Sequence, residues 1–234
     1  PRRFVWEYRS NQGELLGYVA RFDDDGKKKE IVPYFKRING DGWQHGSATE
    51  PRPLFGLDVL SQADNKRAAF IVEGEKAAAA LQSLGIIAIT SQGGSNAALK
   101  TDWKPLNGRE RIYLLPDNDE SGEAYIKAVT TILISLDSPP ALSIVRLPNL
   151  PPAGDVVDWI ISKIDEVLLD WDGYEPIPKN VIDNGTLLND FKEAVKQHNE
   201  PVPDEWKADL EQSDMNNWQA PISLESAKFP PWPG

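Results

Sequence analysis

"AAFIVEGEKAAAAL", residues 68–81, joins an apolar run of strand length to an alanine-rich run of helix length, with Glu73, Gly74 and Glu75 at the junction. Further apolar runs follow outward from it: "IIAIT" (86–90), "RIYLL" (111–115) and "LSIVRL" (142–147). Each has the length and continuity of a strand buried on both faces. A helix is expected over 75–84, ended by Gly85. Another is expected in "SGEAYIKAVTTILISL" (121–136), where Tyr125, Val129, Ile132 and Leu136 share one face. Strands alternating with helices predict right-handed crossovers and a parallel sheet, an α/β fold whose sites lie at the carboxyl ends of the strands.

The flanks read differently. Residues 4–60 are short aromatic and β-branched runs with turns, including a hairpin about Asn11-Gln12-Gly13. "DVVDWIISKIDEVLLD" (155–170) and "TLLNDFKEAVKQHN" (186–199) have helical periodicity. Residues 200–234 are Pro-rich and polar and read as a linker or docking tail.

Composition is that of a soluble globular chain: 234 residues, 40% hydrophobic, 26% charged. There is no apolar run long enough for a membrane span and no leader pattern. Cysteine is absent, which rules out disulfides and thiolate metal sites and fits a cytoplasmic location. The opening Pro1 raises the expectation of a segment cut from a longer polypeptide. The net charge of −11 resides in residues 151–234, where six Lys/Arg face seventeen Asp/Glu; the first 150 residues are close to neutral. Local basic clusters there leave nucleic-acid binding open.

Three acidic elements follow expected strands: Glu73, then Asp117 and Asp119 in "LLPDNDESG", then Asp155 and Asp158 in "GDVVDW". On a parallel sheet they converge on one edge. Two carboxylates about 4 Å apart repel by roughly 4 kcal/mol at an effective dielectric of 20, so a cation, a proton or strong donors must offset the charge. Oxygen ligands without His or Cys suit Mg²⁺ or Mn²⁺ and exclude a zinc site. A helix cap is the competing reading of Asp119 and Asp155. Gly93-Gly94-Ser95 is either a plain turn or one exposing N–H groups to a phosphate. His45 and His198 stand alone, without a triad partner.

In this order the motifs resemble the TOPRIM domain shared by primases, topoisomerases and some nucleases: Glu73-Gly74 after one strand, Asp117-x-Asp119-x-x-Gly122 after a later one. "EGEKAA" with "DNDESG" is similar to the phage and mobile-element primase branch. "GELLGYVARF" (13–22) and "PLFGL" (53–57) are similar to stretches of the bacterial primase core. "SQGGSNAALKTDWKPLNGR" (91–109) and "PPAGDVVDW" (151–159) extend the likeness, which covers roughly residues 4–165.

The resemblance implies three regions: a β-rich N-terminal subdomain with basic patches (1–62), a TOPRIM catalytic domain (63–172), and a helical extension with a Pro-rich tail (173–234). It implies Glu73, Asp117 and Asp119 as the catalytic and metal-binding centre, Asp155 as a further metal ligand, and Glu73 as general acid/base. It also implies nucleic-acid or nucleotide contacts at Arg21, Lys36, Arg37, Lys76, Gly93, Gly94 and Lys100. Lys27, Lys28 and Lys29 would extend the basic surface or be solvated turn charges; Phe35 and Trp43 would stack on bases or pack in the core. The expected function is a Mg²⁺- or Mn²⁺-dependent DNA primase core, making RNA primers from NTPs on single-stranded DNA. It would be the primase part of a larger replication protein with a helicase C-terminal to it. A TOPRIM nuclease and a non-catalytic DNA- or partner-binding module are the alternatives.

Overall fold

The structure, a computed structural model, describes residues 2–23, 29–37, 42–164, 171–182 and 185–206. Four antiparallel strands come first, in spatial order: β1 (Arg2–Arg9), β2 (Leu15–Asp23), β3 (Glu30–Lys36) and β4 (Trp43–His45). The β1–β2 turn is the expected one. Ser10 Oγ accepts the N–H groups of Gln12 and Glu14, and Gly13 takes φ 83°. Alternation along β1 and β2 turns Trp6, Tyr8 and Val19 into the core and leaves Val5 and Tyr18 on the outer face. Phe35 is also turned inward and is 2% exposed, so it packs and does not stack on bases. Lys27 and Lys28 lie outside the described residues.

The second sheet holds β5 (Leu54–Phe55), β6 (Ala69–Val72), β7 (Ala88–Ser91), β8 (Arg111–Leu115), β9 (Ala141–Val145) and β10 (Asn199–Pro201) in the order β10-β9-β8-β6-β7-β5. The four inner strands are parallel; β5 and β10 close the edges antiparallel. Helices α1 (Leu57–Ser61), α2 (Glu75–Ser83), α3 (Glu120–Ile134), α4 (Val156–Ile161), α5 (Lys179–Ile182) and α6 (Thr186–His198) accompany it.

The sheet separates two cores. Phe70 and Val72 of β6 join α2, α4, α6 and the inward face of the first sheet, whereas Ala69 and Ile71 join α1 and α3. Both faces of the inner strands are therefore dry, which is why they read as unbroken apolar runs. Among the described residues no helix is long and apolar enough to cross a membrane.

Two departures from the sequence reading concern the C-terminal part. The helix expected over 155–170 ends at Ile161, with Ser162 as its cap; residues 165–170 lie outside the described set. Residues 200–206, read as the start of a linker or docking tail, pack on the chain's own second sheet. Glu200 and Pro201 pair with β9, Arg146 donates to Glu200, and Val202 is 4% exposed in the second core, against which Trp206 also packs.

Candidate active site

The chain steps from β6 to β7 and then back across β6 to β8, so the winding reverses between β6 and β8. Ligands in open α/β sheets bind at that reversal, outside the strands' carboxyl ends. Val72 is in register with Leu115, and Glu73 and Asp117 follow within two residues of them. Gly74 takes φ 88° and ψ 153°, which a side chain would disfavour, and donates its N–H to Thr90 Oγ1 at 3.0 Å. That turn sends α2 away and leaves Glu73 at the sheet edge. Its Oε1 lies 3.4 Å from where a Cβ on Gly94 would stand, so the Gly93-Gly94 turn after β7 borders the acid. Glu75 goes elsewhere: it accepts the Tyr8 hydroxyl at 2.7 Å beneath the first sheet, and burial pushes both groups up in pKa.

The loop after β8 is held from both sides. Asp119 caps α3, its Oδ1 accepting the Gly122 N–H at 2.8 Å. Gly122 is there for close approach: a Cβ would fall 2.4 Å from the carbonyl oxygen of Asp117. Asn118 ties this loop to the one after β9. Its Nδ2 donates to the carbonyls of Leu150 (3.1 Å) and Pro151 (2.9 Å), its N–H to Gly154, and its carbonyl accepts the Ala153 N–H. The bracket delivers Asp155, which caps α4 through Oδ1 in a reciprocal box with Asp158. The capping reading of Asp119 and Asp155 is thus realised, through one carboxylate oxygen of each.

Asp117 registers the convergence. Burial, and then the charges of Glu73, Asp155, Asp119 and Asp158, push its carboxyl from 3.8 up to about 8. Burial also raises Asp155, against the opposing pull of Lys76. The donor set is all oxygen and carries surplus negative charge, the chemistry a hard divalent ion meets. Among the described residues no three His, Cys, Asp or Glu side chains stand ready to ligate one ion, because two of the acids face helix termini. An ion held by one or two carboxylates, with waters and substrate phosphates completing its shell, matches this arrangement and the habit of Mg²⁺.

Of the basic residues, Arg21 and Lys76 meet at one ring: the Arg21 guanidinium and the Lys76 ammonium each lie 4.7 Å from the centroid of Tyr174. Arg21 also binds Asp23 at 2.9 Å. Lys36 belongs to the outer face of the first sheet, over Trp43, and Arg37 is exposed at the end of β3. Lys100 is exposed and pairs with Glu50 at 3.8 Å. The groups that act most strongly on Asp117 and Asp155 include Lys76 and none of Arg21, Lys36, Arg37 and Lys100.

Sequence reading passed over Arg52, whose Nη1 reaches the Gln92 carbonyl and borders Gly93, and over Asn118, Tyr8 and Tyr174. For Tyr8 the signal was the alternation of β1, which turns it inward; for the others only tertiary contact reveals the role.

No protein-family model and no curated protein matches the chain. Solved structures do. A DNA primase domain from Pseudomonas aeruginosa aligns over 90% of this chain and 55% of its own, at 15% identity and a TM-score of 0.53. The Escherichia coli primase catalytic core aligns over 80% and 56%, at 17% identity and 0.45. A chain from a bacteriophage T7 lagging-strand polymerase assembly with primase domains aligns over 69% and 75%, at 20% identity and 0.46. The fold is that of a DNA primase catalytic core. The chain spans 55% of the Pseudomonas domain's length.

Proposed function

We propose that this chain is the catalytic core of a primase of the TOPRIM type, a metal-dependent nucleotidyltransferase that joins ribonucleotides on a single-stranded DNA template within a larger replication protein. The observation that carries the reading is Asp117, kept protonated up to about 8 by burial and four neighbouring acids at the reversal point of a primase-core sheet. Such a site is tuned to receive positive charge and phosphate together.

Glu73 and Asp117 would hold Mg²⁺ or Mn²⁺, with Asp119 and Asp155, each giving one carboxylate oxygen to a helix cap, beside them. Bound there, the ion would lower the pKa of the attacking 3′-hydroxyl and neutralise the leaving pyrophosphate. The chain's own residues supply position and field. Asp117 gives up its carboxyl proton as positive charge arrives. Asn118 keeps the two acidic loops in one relation. Lys76, braced on Tyr174, sets cationic charge beside Asp155 for a polyanionic substrate. Below Glu73, Tyr125 and Ser91 share a buried hydroxyl contact at 3.0 Å that stiffens the floor.

The test is incubation with labelled NTPs, Mg²⁺ or Mn²⁺ and single-stranded DNA, beside a control lacking NTPs. Short RNA products that vanish in Glu73→Gln are the expected result. DNA degraded without NTPs would make the protein a nuclease, and silence in both arms a binding module.

A further inference from the structure

Arg52 sits in the segment between β4 and β5 and reaches the loop after β7 at both of its ends. Its N–H donates to the Lys100 carbonyl at 2.7 Å and its carbonyl accepts the Asp102 N–H at 2.8 Å, beside a parallel bridge to Thr101. Its side chain returns to the other end. There Nη1 donates to the Gln92 carbonyl at 3.3 Å and lies 3.4 Å from where a Cβ on Gly93 would stand. A Cβ on the next residue, Gly94, would stand 3.4 Å from Glu73 Oε1. The Gly93-Gly94 turn is therefore held between a guanidinium and the acid that ends β6.

Backbone pairing at Lys100 and Asp102 needs no particular side chain, so the far end of the loop does not explain an arginine. Nor does packing. The Arg52 side chain is 14% exposed, and among the described residues its buried Nε has no hydrogen-bond partner. Its Nη2 reaches Glu50 only at 3.4 Å. Glu50 is itself half exposed and shared with Lys100, so much of the guanidinium charge stays unbalanced. Burying a cation on such terms costs stability, and methionine or leucine would fill the volume without that cost. Local conflicts of this kind concentrate at sites of function.

We propose that Arg52 is a positioning residue for the acidic edge. Its side chain pins the Gly93-Gly94 turn as a wall beside Glu73, and a nucleoside triphosphate sharing the ion held by Glu73 is received against that wall. The wall rests on geometry alone, and the nucleotide on the primase reading. Both glycines take positive φ, 101° and 65°, a backbone with few steric restraints of its own, so an outside contact must fix it. A phosphate oxygen on an ion held by Glu73 lies within about 4 Å of that carboxylate, two ion–oxygen bonds away, and so within reach of the turn. Arg52 itself stands behind the turn and touches no substrate. Its grip and its charge favour a bound polyanion in the same direction, and lysine at this position separates the two.

Backbone ¹⁵N relaxation and steady-state primer synthesis, both on the full chain, test this. In wild type the Gly93 and Gly94 amides should be as rigid as the strands, with order parameters of about 0.85; in Arg52→Met they should fall below about 0.6. The KM for NTP should rise about tenfold in that variant while kcat changes by less than about threefold. Arg52→Lys keeps the charge without the planar fork, so it should leave the turn loose and recover only part of the KM loss. A turn equally rigid in wild type and Arg52→Met, an unchanged KM, or full KM rescue by lysine would overturn the proposal. Should Arg52→Met not fold, Arg52→Lys carries the test, and a turn as rigid as that of wild type would refute the grip. Wild type that makes no RNA would overturn the primase reading, and the order parameters alone would then decide for Arg52.

Discussion

Replacing Asp117 by Asn removes a charge from the most crowded acidic position in the protein while preserving shape, and the structure bounds the consequence. Its carboxyl is raised from 3.8 to about 8 in the folded chain. Between those values the folded state holds a proton that the unfolded state has released, so this group's contribution is greatest below about pH 4 and declines as pH climbs toward 8. At about 1.36 kcal/mol for each pH unit, the full range is worth at most about 6 kcal/mol. Solvent screening of a half-buried group reduces that to about 1–3 kcal/mol. Asn cannot ionise in either state, so Asp117→Asn should be more stable than wild type by about 1–3 kcal/mol at pH 8 with a chelator present. The melting temperature should rise by about 3–8 °C. At pH 5 the gain should shrink to about a third, and added Mg²⁺ should stabilise wild type more than the variant. The assay is thermal unfolding from pH 5 to 8, with and without Mg²⁺. A variant less stable than wild type at pH 8, or a gain independent of pH, would refute convergence of the acids on Asp117.

Two substitutions separate the cap from the ligand at Asp119: Asn keeps a capping oxygen and should leave stability within about 0.5 kcal/mol, whereas Ala should cost about 1 kcal/mol; both should abolish synthesis if the charge serves an ion, as melting and primer assays will read. Tyr8→Phe strips the donor from buried Glu75 and should cost about 1–3 kcal/mol in chemical denaturation. Ending the chain after Trp206 should leave the melting transition unchanged. Ending it after His198 removes β10, the Glu200 partner of Arg146 and buried Val202 and should lower the midpoint by several degrees. Asn118→Ala should cost about 1–2 kcal/mol and raise the Mg²⁺ concentration needed for half-maximal synthesis, because the loop bearing Asp155 then keeps only its two backbone hydrogen bonds to the Asp117 loop.

The inner strands were legible because burial on both faces demands continuous apolar runs, and "RIYLL" coincides with β8 residue for residue. The edge strands were not. Leu54–Phe55 is too short to show a period, and Asn199–Pro201 is polar and exposed; both exist because a neighbouring strand offers unpaired backbone. Glu73 and Asp117 could be placed together from strand order alone, since each closely follows its strand. Asp155 stands ten residues beyond β9 and reaches the site only through the backbone bracket of Asn118, which spacing does not encode. Residue type misled at the basic positions. Arg21 and Lys36 lie on one sheet, but strand alternation sends Arg21 to Tyr174 beside α2 and Lys36 to the outer face. Glu75 stands two residues from Glu73, yet the turn at Gly74 sends it under the first sheet to Tyr8.

The most direct measurement is Mn²⁺ binding followed by electron paramagnetic resonance, for wild type and for Glu73→Gln and Asp117→Asn, with primer synthesis assayed on the same samples. Saturable Mn²⁺ binding by wild type is expected, weakened at least tenfold in each variant, with synthesis lost in parallel. Undiminished Mn²⁺ binding in both variants, or none in wild type with or without NTPs, would contradict a cation shared by acids from separate strands.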